Sequence, residues 1–144
     1  MELNFKSMGS GPALVILHGL FGSLDNWISH ARTFAEHFTV YIVDQRNHGK
    51  SPHATEWDYF VMADDLRDFL DQQGIMQANL LGHSMGGKTV MQFAADYPER
   101  IKNLIVADMA PKTYNPNHTV ILEALIQMDL SVVNSRREAD QILA

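Results

Sequence analysis

Four short, continuously apolar runs, Ala13-Leu14-Val15-Ile16-Leu17, Thr39 to Val43, Ala78 to Leu81 and Asn103 to Ala107, alternate with stretches whose apolar residues recur at helical spacing. A strand buried on both faces has no polar side to show, so it reads as an unbroken apolar run, whereas a surface helix reads as a stripe. The stripes are Trp27, Ala31, Phe34, Ala35 and Phe38; then Met62, Leu66, Phe69, Leu70 and Gln73, with Gly74 as the expected stop; then Val90, Phe93, Ala94 and Tyr97, ended by Pro98. Strand and helix in strict alternation predict an α/β fold: right-handed crossovers and a mainly parallel sheet with helices on both faces. Sites in such sheets lie at the carboxyl ends of the strands. Here those ends carry His18-Gly19, Asp44, Ser84 and Asp108, one rim of chemically capable residues.

With 144 residues, 46% of them hydrophobic, the chain is long enough for about one domain with a real core. Its net charge of −6, with Lys and Arg scattered, offers no basic face, so nucleic acid is not an expected partner. The absence of cysteine excludes disulfides and thiolate chemistry. No run approaches the roughly 18 apolar residues of a membrane span, and Met1 to Lys6 does not resemble a leader; the expectation is a cytoplasmic protein.

The third strand leads into Gly82-His83-Ser84-Met85-Gly86-Gly87. A serine framed by glycines two before and two after, between a strand and a helix, is the pattern of a nucleophile elbow. Extended to Lys88-Thr89, the same stretch satisfies the phosphate-loop pattern G-x-x-x-x-G-K-[ST]. The two chemistries make different demands on the rest of the chain. A serine nucleophile needs a base and two fixed N–H donors for the oxyanion formed at the attacked carbonyl. The N–H of Met85 at the new helix supplies one donor, and the turn after the first apolar run, His18-Gly19-Leu20-Phe21-Gly22, is placed to supply the other through Leu20, with Phe21 as the second choice. A phosphate loop would use Lys88 on the phosphates and Asp108 at a strand end for Mg²⁺. It leaves His18-Gly19 and the segment around Arg46 without a purpose, so the elbow is the stronger reading and Lys88 is the exposed first turn of a helix.

Beyond Asp108 the pattern breaks at Ala110-Pro111 and Asn115-Pro116-Asn117. An amphipathic helix is expected from His118 to Leu130 with Ile121, Leu122, Leu125 and Met128 inward, and a second from Ser135, which has capping-box spacing to Glu138. Residues 1–110 are read as the core and 111–144 as a separate helical segment.

The set His18-Gly19-Leu20-Phe21-Gly22-Ser23, Asp44-Gln45-Arg46-Asn47-His48-Gly49-Lys50-Ser51, Gly82 to Lys88 and Asp108-Met109-Ala110-Pro111 resembles the α/β-hydrolase superfamily, and within it the YbfF-type bacterial esterases. The resemblance runs from about Leu3 to the last helix. It implies an α/β-hydrolase fold and hydrolysis of small-molecule carboxylic esters or acyl thioesters through an acyl-enzyme on Ser84, with no cofactor. It favours Asp108 as the acid of a catalytic triad, the other possibility being a later acid. It also implies that residues from about Pro111 begin a helical lid.

In that superfamily the triad histidine follows the last strand, so the expectation is that the base lies beyond Ala144 and that the 144 residues alone are nearly inert. The sheet would then end at an unpaired edge beside Asn103 to Ala107, a surface for self-association. Among the seven histidines, His83 is expected to be a packed neighbour of Ser84, His18 to brace the loop, and His48 to belong to a turn that locks a strand end. None has the spacing of a zinc site, and no metal is expected. Trp27, Phe21, Met85 and Tyr114 are candidates to line an acyl pocket. The competing reading from another class is an inactive binding module built on the same fold.

Overall fold

The computed structural model describes residues 1–113, 119–129, 131–133 and 135–143. It divides the chain into two compact units, Met1–Pro111 and Lys112–Ala144.

The first unit is built on five strands, β1 (Phe5–Met8), β2 (Ala13–Leu17), β3 (Thr39–Val43), β4 (Ala78–His83) and β5 (Ile101–Ala107), in the spatial order β1-β3-β2-β4-β5. β3, β2, β4 and β5 are parallel, and β1 joins the outer edge of β3 antiparallel, with Phe5 opposite Val43. The four apolar runs are thus all strands. β1 is an addition to them, because a four-residue edge strand with two exposed positions has no continuous apolar signature.

Alternation along β2 divides the core into two layers. Val15 and Leu17 face one side, with Leu66, Phe69 and Leu70 of helix α2 (Tyr59–Gln72) and Val90 and Phe93 of helix α3 (Met85–Asp96). Leu14 and Ile16 face the other, with Leu24 and with Ala31 of helix α1 (Ile28–Phe34). Phe5 and Tyr41 reach the first layer and meet the Phe69 ring edge-on at 5.2 and 5.9 Å, which explains why β1 is held despite its length.

Local chemistry sets the helix ends. Asp58 caps α2 by accepting from the Val61 N–H at 2.9 Å. Gly74, at φ +66°, ends it as expected, and the Ile75 N–H closes back on the Leu70 carbonyl at 2.8 Å. α2 also buries Asp65, which the apolar stripe does not reveal. Its carboxylate takes both Nε (2.5 Å) and Nη2 (2.9 Å) of Arg46, a bidentate pair that satisfies a charge on the inner face.

β2 has β3 on one side and β4 on the other, so the chain crosses from one half of the sheet to the other between their ends. The crevice at such a switch point lies at the carboxyl ends of β2 and β4. His18 follows the first and Ser84 the second.

In the second unit, α4 spans Thr119–Gln127 and α5 spans Arg136–Leu143. The Ser135 hydroxyl accepts from the Glu138 N–H at 3.2 Å, the N-cap that the spacing predicts. Leu122 and Leu125, expected inward, are exposed: periodicity identifies the apolar face of a helix but not what covers it. Tyr114, Asn115-Pro116-Asn117, His118 and Leu130 lie outside the described residues. None of the described helices is long and apolar enough to cross a membrane.

Candidate active site

Ser84 sits between β4 and α3 at φ +50°, ψ −110°. A side chain in that region strains the backbone by about 1–3 kcal/mol, and the surroundings must hold it there. Three backbone hydrogen bonds do so. The Ser84 N–H donates to Ala107 of β5 at 3.0 Å, the Gly86 N–H to His18 at 3.1 Å, and the Lys88 N–H to Ser84 itself at 3.1 Å. The framing glycines are required by contact. A Cβ on Gly82 would come within 2.2 Å of the Gly86 oxygen, and one on Gly86 within 2.5 Å of the Leu17 oxygen. Among the described residues, no hydrogen bond engages the Ser84 hydroxyl.

The turn after β2 lies alongside. A Cβ on Gly19 would approach the Ser84 Cβ to 3.3 Å and the His83 Nδ1 to 2.9 Å. The Gly22 N–H closes on the Gly19 carbonyl at 3.0 Å, and Phe21 takes φ +61° within the turn. Among the described residues the N–H groups of Leu20 and Phe21 make no hydrogen bond. Met85, buried, opens α3, where an N–H has no acceptor within its helix and the helix dipole favours negative charge. The N–H donors that the sequence singles out therefore belong to two segments that meet at Ser84.

His18 is buried beneath this turn. Its Nε2 lies 3.1 Å from the Gln45 N–H, which can only donate, so Nε2 accepts and Nδ1 carries the proton that it gives to the Gly19 carbonyl at 2.8 Å. Burial pushes the His18 imidazole below the ordinary histidine value, against the opposing effect of the Gly19 bond. A neutral ring held in one tautomer braces the turn.

Two cavities flank the elbow. The larger, about 490 Å³, is lined by Leu20, Phe21, Trp27, His30 and His83 among others; the smaller, about 160 Å³, by Trp57, Asp58, Tyr59, Met62 and Met85. Phe21 and Trp27 thus share one cavity while Met85 belongs to the other, although the sequence groups them as one acyl pocket. Consecutive residues around an elbow diverge, which linear proximity does not express.

The rim is less uniform than the strand ends suggest. Asp44 is buried and accepts from the N–H groups of Leu24 (2.7 Å) and Lys50 (2.9 Å) and from Asn4 Nδ2 (2.7 Å), so it ties segments together and presents no free carboxylate. The Gly49 position has φ +56°, and a Cβ there would run into that carboxylate at 2.2 Å. His48 is buried in the same turn, its Nδ1 on the Arg46 carbonyl at 2.9 Å. Asp108, at φ +56°, remains 85% exposed at the end of β5. Its carboxylate is 3.7 Å from His83 Nε2. His83 is not the packed neighbour expected: its side chain is 42% exposed and forms part of the cavity wall, edge-on to Trp27.

Lys88 differs from its expectation as well. It is partly buried, and its ammonium stands 5.5 Å from the centre of the Tyr59 ring. A phosphate loop encloses an anion within its backbone. Here the Gly86 carbonyl oxygen occupies the place where a Gly82 side chain would begin, 2.2 Å from that Cβ position, the close packing of an elbow. Among the described residues, no three metal-ligating side chains come together.

Residues 12–141 match the α/β-hydrolase-fold family. The chain is 42% identical over 149 aligned residues to esterase YbfF of Escherichia coli, covering 99% of this chain and 59% of that protein. It is 44% identical over 107 residues to the mouse protein named sn-1-specific diacylglycerol lipase ABHD11, covering 73% and 35%. A solved marine microorganism esterase superposes with a TM-score of 0.94 at 49% identity, covering 99% of this chain and 57% of that one. The protein is therefore a member of the α/β-hydrolase family, as the motifs imply. The chain spans about half the length of the curated relatives it matches.

Gln45 and Thr89 stand within the quoted motifs, but the elbow reading gives neither a role. Thr89 carries a detectable signal, since it falls on the inner face of α3 beside Val90 and Phe93, where a hydroxyl needs a partner.

Proposed function

We propose that the protein is a serine hydrolase acting on carboxylic esters or acyl thioesters through an acyl-enzyme. The observation that carries this reading is the backbone of Ser84, held at φ +50° beside the Gly19 turn, a conformation that a helix cap alone would not require. In this account the Ser84 Oγ attacks the carbonyl carbon and its proton passes to a base. The oxyanion is received by the N–H of Met85 and that of Leu20, with Phe21 as the alternative. The base then protonates the departing alcohol or thiol, and water repeats the sequence to release the acid and free Ser84.

Asp108 is assigned as the acid that orients the base. Of the histidines, His18 has both ring nitrogens occupied and His83 is turned toward Asp108, and no imidazole hydrogen-bonds the Ser84 hydroxyl among the described residues. These features, with the greater length of the relatives, support a base contributed from outside the described residues and a lid beginning near Pro111. Removing the base from a triad lowers turnover by about a millionfold, so residues 1–144 alone are expected to be nearly inert.

The test is turnover of a panel of p-nitrophenyl esters and acyl thioesters by the full-length protein. Hydrolysis that disappears in Ser84→Ala supports the proposal. Undiminished hydrolysis in that variant would remove Ser84 as the nucleophile, and no hydrolysis in the wild type together with specific ligand binding at the cavity would replace the proposal with a binding module.

A further inference from the structure

The carbonyl of His18, the last residue before the Gly19 turn, accepts two hydrogen bonds: 3.1 Å from the Gly86 N–H of the elbow and 2.7 Å from Gln45 Nε2. Gln45 holds the same residue a second time, its backbone N–H meeting the His18 ring at 3.1 Å. A carbonyl can only accept, so the Gln45 amide nitrogen faces His18 and its oxygen faces Thr89, whose hydroxyl donates at 2.8 Å. The orientation of the amide is thereby fixed. Gln45, Thr89 and His18 are 3%, 1% and 1% exposed, so these hydrogen bonds lie out of reach of bulk solvent. The three come from the end of β3, the first turns of α3 and the end of β2, and they converge beneath the elbow.

We propose that Gln45, locked by Thr89, is a positioning residue: it fixes the His18 carbonyl and so sets the N–H groups of Leu20 and Phe21 against the helix start that carries Met85. The inference rests on the reading of Ser84 as nucleophile, since it assigns those N–H groups to an oxyanion. Gln45 lines neither cavity beside the elbow and acts only through His18. Donors held in place before the reaction need no rearrangement as charge develops, and loss of one such donor lowers turnover by about a hundred- to a thousandfold. Loosening the turn that carries a donor should do somewhat less, and it should act on the transition state more than on the bound ester.

The experiment compares Gln45→Leu, Gln45→Glu, Thr89→Val and Thr89→Ser in the full-length protein. It records kcat and KM on a p-nitrophenyl ester per folded molecule, and amide hydrogen exchange across Gly19 to Gly22. The expected result for Gln45→Leu and Gln45→Glu is a fall in kcat of about ten- to a hundredfold with KM changed less than about threefold, and faster exchange at Gly22, whose N–H is held by the Gly19 carbonyl. Thr89→Val shows the same changes to a smaller degree, and Thr89→Ser, which keeps the hydroxyl, restores both. Wild-type kcat in Gln45→Leu, a loss confined to KM, or a loss that vanishes when scaled to folded protein would overturn the proposal. Should the wild type hydrolyse no ester, the nucleophile reading fails, and exchange decides whether Gln45 holds the turn: faster exchange in Gln45→Leu supports the hold, and unchanged exchange removes it.

Discussion

The Gly86 N–H donates to the His18 carbonyl at 3.1 Å, joining the first turn of α3 to the residue that begins the loop after β2. The contact is close enough that no side chain fits: a Cβ on Gly86 would stand 2.5 Å from the Leu17 oxygen and 2.7 Å from that of His18. A single backbone hydrogen bond thus brings the proposed nucleophile together with the proposed oxyanion donors of the turn, Leu20 and Phe21, which the sequence separates from Ser84 by more than sixty residues.

Substituting either framing glycine should therefore damage the fold before it damages chemistry. Gly82→Ala and Gly86→Ala force backbone atoms apart, and each is expected to lower stability by about 3 kcal/mol or more. Gly74→Ala serves as a contrast: its Cβ meets nothing within 4 Å, and only the positive φ opposes it. Urea denaturation of the three variants checks the order, with Gly74→Ala the mildest, at about 1 kcal/mol.

Strain at Ser84 predicts an opposition between stability and activity. Glycine tolerates φ +50° where serine does not, so Ser84→Gly should lose hydrolysis yet gain about 1 kcal/mol over Ser84→Ala, which retains a Cβ. Thermal unfolding of the two variants side by side isolates the backbone term. Equal stability would show that the elbow is not strained.

The parallel strands β2, β3 and β4 and the helices beside them are legible in the sequence because burial leaves an apolar run, and because Gly74 and Pro98 punctuate the helices; β5 has the same kind of run although its middle residues are exposed. β1 is not legible, since an edge strand is half exposed and its one strong anchor, Phe5 against Phe69, is a long-range contact. At the site, motif spacing finds Ser84 and the Gly19 turn. It gives no role to Gln45, whose three hydrogen bonds go to two residues distant in the chain, His18 and Thr89, and it does not show the turning of His83 into the cavity. Asp44 is misjudged for the same reason: its place at a strand end is visible, but the three donors that consume its carboxylate are not.

Acid should weaken the fold through His18. Burial, assisted by the nearby His48 ring and opposed by the Gly19 bond and by Asp44, lowers its pKa below the ordinary value of 6.5. The unfolded chain takes up a proton as the pH falls through 6.5 while the folded chain still resists it, so this contribution is complete above that value and is lost on going lower, through the folded pKa. Urea midpoints measured from about pH 7 down to pH 5 should decline, and His18→Asn, less stable throughout, should show a flatter dependence over the same range.

The outer edge of β5 should drive association of the 144-residue chain. Among the described residues β5 pairs only with β4, and Leu104 and Ile105 are 39% and 50% exposed. An apolar, unpaired edge is a template for a second strand, and a lysine there opposes pairing. Sedimentation of residues 1–144 should reveal concentration-dependent oligomers that Ile105→Lys suppresses, whereas a monomer at all concentrations would remove the proposed self-association.

The central claim concerns one hydroxyl. Treating the full-length protein with a fluorophosphonate and locating the adduct by mass spectrometry tests it directly. The account predicts a single adduct on Ser84, absent in Ser84→Ala and accompanied by loss of ester hydrolysis in proportion to labelling. Hydrolysis that persists with Ser84 fully labelled, or an adduct on another residue that accounts for the lost activity, would contradict it.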